Sequence, residues 1–181
     1  MIDQIQIINP ENLQIEQSVM TEFSNVNEEA CMDLLTEMQC DMSNSCEWMM
    51  GMCMDSSSSE QTNTPHFIVL DEENGYWFVT TIASGFIAQY SLLDNSFIDS
   101  YFVGDAPALL AVDESNKKIY CSRMMPMNGM GNMMPSSDSN IIQALSYSSM
   151  GLSLSEVSQY EIASPAPHGL AINQDRNKIF T

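Results

Sequence analysis

Residues 64–80 read Thr64-Pro65-His66-Phe67-Ile68-Val69-Leu70-Asp71, then Glu72-Glu73-Asn74-Gly75, then Tyr76-Trp77-Phe78-Val79-Thr80. An apolar run opened by proline, a polar turn, and a second run of aromatic and β-branched residues together specify a β-hairpin. Proline is tolerated at the first position, because that residue need not donate to the ladder. The same wording returns twice. Ala106-Pro107-Ala108-Leu109-Leu110-Ala111-Val112-Asp113 leads through Glu114 to Lys117 into Lys118-Ile119-Tyr120-Cys121-Ser122. Ala166-Pro167-His168-Gly169-Leu170-Ala171-Ile172-Asn173 leads through Gln174 to Asn177 into Lys178-Ile179-Phe180-Thr181.

A second kind of hairpin alternates with the first. It occurs as Ile5-Gln6-Ile7-Ile8-Asn9 with Gln14 to Val19, as Ile87-Ala88-Gln89-Tyr90-Ser91 with Phe97 to Val103, and as Ile142-Gln143-Ala144-Leu145-Ser146 with Ser155 to Ile162. Pro65 to Pro107 is 42 residues, the length of one four-stranded propeller blade. Pro107 to Pro167 is 60, an excess of 18 that the Met-rich stretch absorbs, and Ile5 to Ile87 is 82, an excess of 40 that the Cys-rich stretch absorbs. The expected fold is therefore all-β: an incomplete β-propeller of two full four-stranded blades plus two half blades, with a small Cys/Met-rich, partly helical insertion. Its expected parts are residues 1–19 as the second half of a blade and 20–63 as the insertion, with a short helix near 27–39. Residues 64–104 form a full blade, 105–163 a full blade carrying a Met-rich loop at 123–140, and 164–181 the first half of a further blade. Starting and stopping in mid-blade, the sequence reads as a fragment of a longer propeller. Open sheet edges then predict poor solubility or self-association.

Pro167-His168-Gly169-Leu170-Ala171-Ile172, its polar turn and Lys178-Ile179-Phe180-Thr181 resemble the YVTN-type β-propeller repeat, and Phe78-Val79-Thr80-Thr81 is the nearest match to the motif that names it. Tyr120-Cys121-Ser122-Arg123 departs from that motif at three positions. The resemblance spans about 120 residues and implies the propeller fold; such families have varied roles, so it implies no single activity. Lactonase-like and surface-protein propellers are both similar in appearance.

With 24 acidic against 5 basic residues the net charge is −19, which argues against nucleic acid and against docking on anionic lipid. No run of about 18 apolar residues occurs, so no membrane insertion is expected. Residues 1–20 carry no signal-peptide pattern.

Cys31, Cys40, Cys46 and Cys53 follow C-x8-C-x5-C-x6-C, without the close pairs that zinc sites use. Four cysteines in a short Ser-rich stretch fit two disulfides of unknown pairing that staple a minidomain too small for its own core. Disulfides point to an oxidising setting: extracellular, cell-surface or periplasmic. The odd Cys121 falls mid-strand and reads as a small buried hydrophobe.

Met124, Met125, Met127, Met130, Met133 and Met134 lie on a backbone of Gly, Asn and Pro. Three readings stand side by side: flexible apolar packing, a plastic surface for a partner, or, with His66 or His168, a soft-ligand site for copper(I). Each histidine also fits the repeat simply as a strand-opening residue, since Ala108 replaces it in the middle copy. Asp71, Asp113 and Asn173 recur at one turn position and read as turn caps. Strand parity sends both insertions, and the histidines, to one face of the blades, where binding usually resides. No catalytic residue or cofactor is assigned, because no motif with a nucleophile and its base occurs. The expected function is an extracytoplasmic binding or interaction module for a protein or small-molecule ligand, the alternatives being a copper-handling protein and a lactonase-like hydrolase.

Overall fold

The computed structural model describes residues 3–21, 46–49, 52–55, 63–104, 106–123, 140–163, 167, 169–175 and 177–181. They belong to two compact units, Met1–Ile2 with Glu22–Thr62 and Asp3–Thr21 with Asn63–Thr181.

Every regular element among them is a strand. β1 (Gln4–Ile8) and β2 (Ile15–Met20) form an antiparallel hairpin. In the first unit, β3 (Cys46–Met49) and β4 (Met52–Asp55) pair so that Trp48 is opposite Cys53 and Cys46 opposite Asp55. This hairpin is absent from the sequence-based expectation for the insertion, and the helix expected near 27–39 lies outside the described residues. β5 (Pro65–Asp71), β6 (Tyr76–Thr81), β7 (Phe86–Ser91) and β8 (Phe97–Phe102) form one four-stranded antiparallel meander. β9 (Pro107–Asp113), β10 (Lys118–Arg123), β11 (Ile141–Ser148) and β12 (Gly151–Glu161) form a second. β13 (Ala171–Asn173) and β14 (Lys178–Phe180) close the series as a hairpin.

The sheets of the second unit stack as blades. First strand lies against first strand, β5 on β9 and β9 on β13, while last strand β8 lies against last strand β12. Two full four-stranded blades flanked by two half blades make this unit an incomplete β-propeller. Middle strands are covered on both faces. Trp77 to Thr81 of β6 and Ile119 to Arg123 of β10 are all buried, which is why Trp77-Phe78-Val79 and Ile119-Tyr120-Cys121 read as unbroken apolar runs rather than alternating ones. The core between the two full blades joins Phe78 and Ile87 to Leu110, Ile119, Leu145 and Tyr147. Burying each such side chain stabilises the fold by roughly 1.5–3 kcal/mol.

Strand β12 begins earlier than the sequence suggests. Ser148 pairs with Gly151, leaving Ser149 and Met150 as a two-residue turn, and the ladder then slips between Gln143 and Leu145. Leu152 N–H donates to Asp99 Oδ2 at 2.8 Å, so the first blade holds the start of this strand.

The turns repeat in backbone as well as in sequence. Gly75, Lys117 and Asn177 occupy the same position, at φ 80°, 51° and 51°. Glycine meets this left-handed requirement without strain and asparagine does so at little cost. Lysine has neither advantage.

Candidate functional site

Each blade has two ends: one where first strands begin at Pro65 and Pro107, and one where they turn at Asp71 and Asp113. At the proline end Asp3 gathers the chain. The Thr21 N–H donates to the Asp3 carbonyl at 3.0 Å, Thr64 N–H donates to Asp3 Oδ1 at 3.2 Å, and Asn63 N–H donates to Asp3 Oδ2. The Asn63 side-chain amide donates in turn to the Thr21 carbonyl. The two stems of the Cys-rich insertion, Thr21 and Asn63, are thus tied by one buried half-blade residue, Asp3, which holds Thr21 through its backbone carbonyl and Asn63 through its carboxylate. Thr64 and Ala106, the residues before the two prolines, both adopt left-handed backbone at φ 51° and 49°. Such backbone costs about 1–2 kcal/mol in a side-chain-bearing residue. At Thr64 it is held by the Asp3 bond and by Ile82 N–H donating to the Thr64 carbonyl at 3.0 Å.

Beside each proline the first ladder is irregular, with slips between Pro65 and Phe67 and between Cys121 and Arg123. A hydroxyl fills each gap. Phe67 N–H donates to Thr80 Oγ1 at 3.2 Å, and Leu109 N–H donates to Ser122 Oγ at 3.4 Å. Thr80 Oγ1 also donates to the Ala108 carbonyl at 2.9 Å, joining the two blades. A small hydroxyl residue at the third position of Phe78-Val79-Thr80-Thr81 and Tyr120-Cys121-Ser122-Arg123 therefore has a structural task.

Arg123 is the residue that sequence reasoning missed. It ends β10 opposite Pro107 and is only 4% exposed. One guanidinium nitrogen, Nη2, donates to the Val103 carbonyl and to Gln143 Oε1 at 2.8 Å. Nε and Nη1 are buried and have no hydrogen-bond partner among the described residues. Gly104, at φ 97°, lets the guanidinium lie on the backbone; a Cβ there would fall 2.5 Å from Nη1. Unspent donors on a buried cation are costly. In sequence it stands immediately before the Met-rich segment, whose other stem is Asn140, fixed by Ile162 N–H donating to the Asn140 carbonyl at 2.8 Å.

His66 is exposed at the same end, its Nδ1 3.4 Å from the Ala108 carbonyl. Cys121 is a free, buried thiol that burial pushes up to about 12, so it stays protonated and inert. His168, Cys31, Cys40 and Met124, Met125, Met127, Met130, Met133 and Met134 lie outside the described residues. For Cys46 and Cys53 the description is limited to their backbone in β3 and β4, so the disulfide pairing lies outside it too. Among the described residues no three His, Cys, Asp or Glu side chains converge.

The opposite end is occupied by turn caps. Asp71 Oδ1 accepts from Asn74 N–H at 2.9 Å and Asp113 Oδ1 from Asn116 N–H at 3.1 Å. Asp71 Oδ2 accepts the Tyr147 hydroxyl at 2.5 Å across the two blades. Burial, followed by this bond and the charge of Asp71, pushes the Tyr147 phenol far up, keeping it a donor. These two aspartates are the acidic residues of the described first strands β5, β9 and β13, and both serve turns.

No family model matches the sequence, and no curated protein matches it. Among solved structures the chain is similar to part of a mitotic checkpoint complex (13% identity, TM-score 0.48, covering 61% of this chain and 30% of that one). It is also similar to hydrazine synthase of Kuenenia stuttgartiensis (11%, 0.48, 71% and 30%) and to the β-propeller domain of Myceliophteria thermophila Cps50 (12%, 0.39, 54% and 29%). The chain spans about a third of the length of the first structures it matches. What defines the second unit is its own sheet order: antiparallel four-stranded meanders stacked strand for strand, the arrangement of propeller blades.

Proposed function

We propose that this chain is an interaction module, a propeller of the YVTN-type repeat that binds a protein or small-molecule ligand at the proline end of its blades. One observation carries the reading. The stems of both long insertions, Thr21 with Asn63 and Arg123 with Asn140, are fixed by hydrogen bonds to a rigid strand scaffold. Variable segments on rigid strands are where recognition concentrates. The cysteine spacing supports a disulfide-stapled insertion and hence an exported protein. Copper(I) binding by Met124, Met125, Met127, Met130, Met133 and Met134, with His66 or His168, is a second reading that rests on their spacing alone.

Photo-crosslinking tests the choice of face. A benzophenone amino acid at His66 reports the proline end; the same group at Met150 or Leu93, exposed at 93% and 94% in turns of the other end, reports the control face. Partner crosslinks from position 66 alone support the reading, and crosslinks from 93 or 150 in its place overturn it. For copper, binding that survives replacement of all six methionines by Leu removes the second reading.

A further inference from the structure

The turn between β5 and β6 carries an Asn-Gly pair, Asn74-Gly75. An asparagine before glycine is open to deamidation, because the following nitrogen can close a ring on the side-chain amide and glycine has no Cβ to hinder it. Here both reacting groups are engaged. Gly75 N–H donates to the Asp71 carbonyl at 3.0 Å. Asn74 Nδ2 donates to Asp71 Oδ1 at 3.1 Å and, across to the second full blade, to the Glu114 carbonyl at 2.9 Å. Asp71 is itself fully buried, and its other oxygen accepts the Tyr147 hydroxyl of that same blade. The equivalent turn of the second blade is built differently. Asn116 Nδ2 donates to Asp113 Oδ2 at 2.8 Å within its own turn, and Lys117 follows where the first blade has glycine.

We propose that Asn74-Gly75 is a deamidation site that the packing of the two full blades holds shut, and that its conversion breaks the link between their turns. Local openings cost less than global unfolding, and an opening here releases the Asn74 amide from Glu114. The Gly75 nitrogen then loses its proton to a solvent base and attacks Asn74 Cγ. The N–Cγ bond forms, the Cγ–Nδ2 bond breaks, and ammonia leaves a succinimide behind. Water opens that ring at either carbonyl to give aspartate or isoaspartate, so nothing is oxidised or reduced. The product carboxylate has no N–H for the Glu114 carbonyl, and it sets a second negative charge beside buried Asp71. Isoaspartate also adds a carbon to the main chain of a turn in which Gly75 sits at φ 80°. The blades do not close again as before, so the reaction is a one-way record of their parting. The site belongs to the turn-cap end and is independent of ligand binding at the proline end.

Peptide mass spectrometry of the 181-residue chain, incubated at mildly alkaline pH, tests this, since conversion makes the peptide containing Asn74 one mass unit heavier. Conversion is expected to be at least about tenfold slower in the folded chain than in urea, the margin that a local opening equilibrium supplies. Thr80 makes its bonds to Phe67 and Ala108 at the proline end, remote from Asn74. Thr80→Val weakens the contact between the blades and is expected to speed conversion in the folded chain about threefold or more. A guard confined to the turn would leave that rate unchanged. Asn74→Asp, one of the two products, is expected to lower the urea midpoint by more than Asn116→Asp, whose lost bond lies within one turn. Equal rates in the folded chain and in urea, no acceleration by Thr80→Val, or an Asn74→Asp no more costly than Asn116→Asp would each overturn the proposal.

Discussion

The first strands of the two full blades carry the same repeat and meet different surroundings. In β9 Leu110 is 2% exposed, held between the first blade and β10; in β5 the equivalent Ile68 is 43% exposed. The turns differ likewise. Asp71 is bonded to Tyr147 one blade on, whereas Asp113 accepts from the local residues Ser115 and Asn116. A propeller blade is thus completed by its neighbours. Residues of identical pattern contribute to stability in proportion to the blades beside them, as expected of a quasi-one-dimensional repeat.

Truncations should expose that contrast most strongly. Phe78→Ala removes a fully buried ring from the inter-blade core, and urea denaturation should show a loss of about 3–5 kcal/mol. Ile68→Ala on the open face should cost under about 1 kcal/mol. Equal losses would erase the distinction between covered and bare blades.

Tyr147→Phe comes next. It leaves the buried Asp71 Oδ2 without its inter-blade donor, an expected loss of about 1–3 kcal/mol by the same measurement. Acid titration sharpens the comparison at the other turn. Burial acts to raise the Asp113 carboxyl, but hydrogen bonds from Asn116 and Ser115 outweigh it and hold the group below its ordinary value. A depressed folded value means that this stabilisation is present above the ordinary carboxylate range. It is lost as pH falls through the lowered value. Asp113→Asn should flatten that part of the stability profile, and an unchanged acid limb would contradict it. Smallest of all, Lys117→Gly should relieve left-handed strain at φ 51° and stabilise by at most about 1 kcal/mol.

Much of the blade order was legible from sequence, because Pro65, Pro107 and Pro167 each open a strand–turn–strand pattern with period-2 or continuous burial behind it. The turn caps were legible too, since Asp71 and Asp113 act on backbone three residues away. What escaped depends on distant partners. Tyr147 meets Asp71 across 76 positions, and Arg123 reaches Val103 and Gln143 across 20 in either direction. No local pattern marks a tyrosine or an arginine for such bonds. The left-handed Lys117 escaped for the opposite reason: lysine is a residue whose own preference argues against that backbone. In the insertion, the hairpin of Cys46–Met49 with Met52–Asp55 lacks the alternating β-branched pattern that marks the other hairpins.

Blade stacking is tested most directly by a double-mutant cycle on Asp71 and Tyr147, the pair that joins a turn of one blade to the third strand of the next. With Asp71→Ala, Tyr147→Phe and both together, denaturation should give a coupling of about 1–3 kcal/mol. Additivity within about 0.5 kcal/mol would mean that the two residues do not meet, and that the sheets are not stacked as blades.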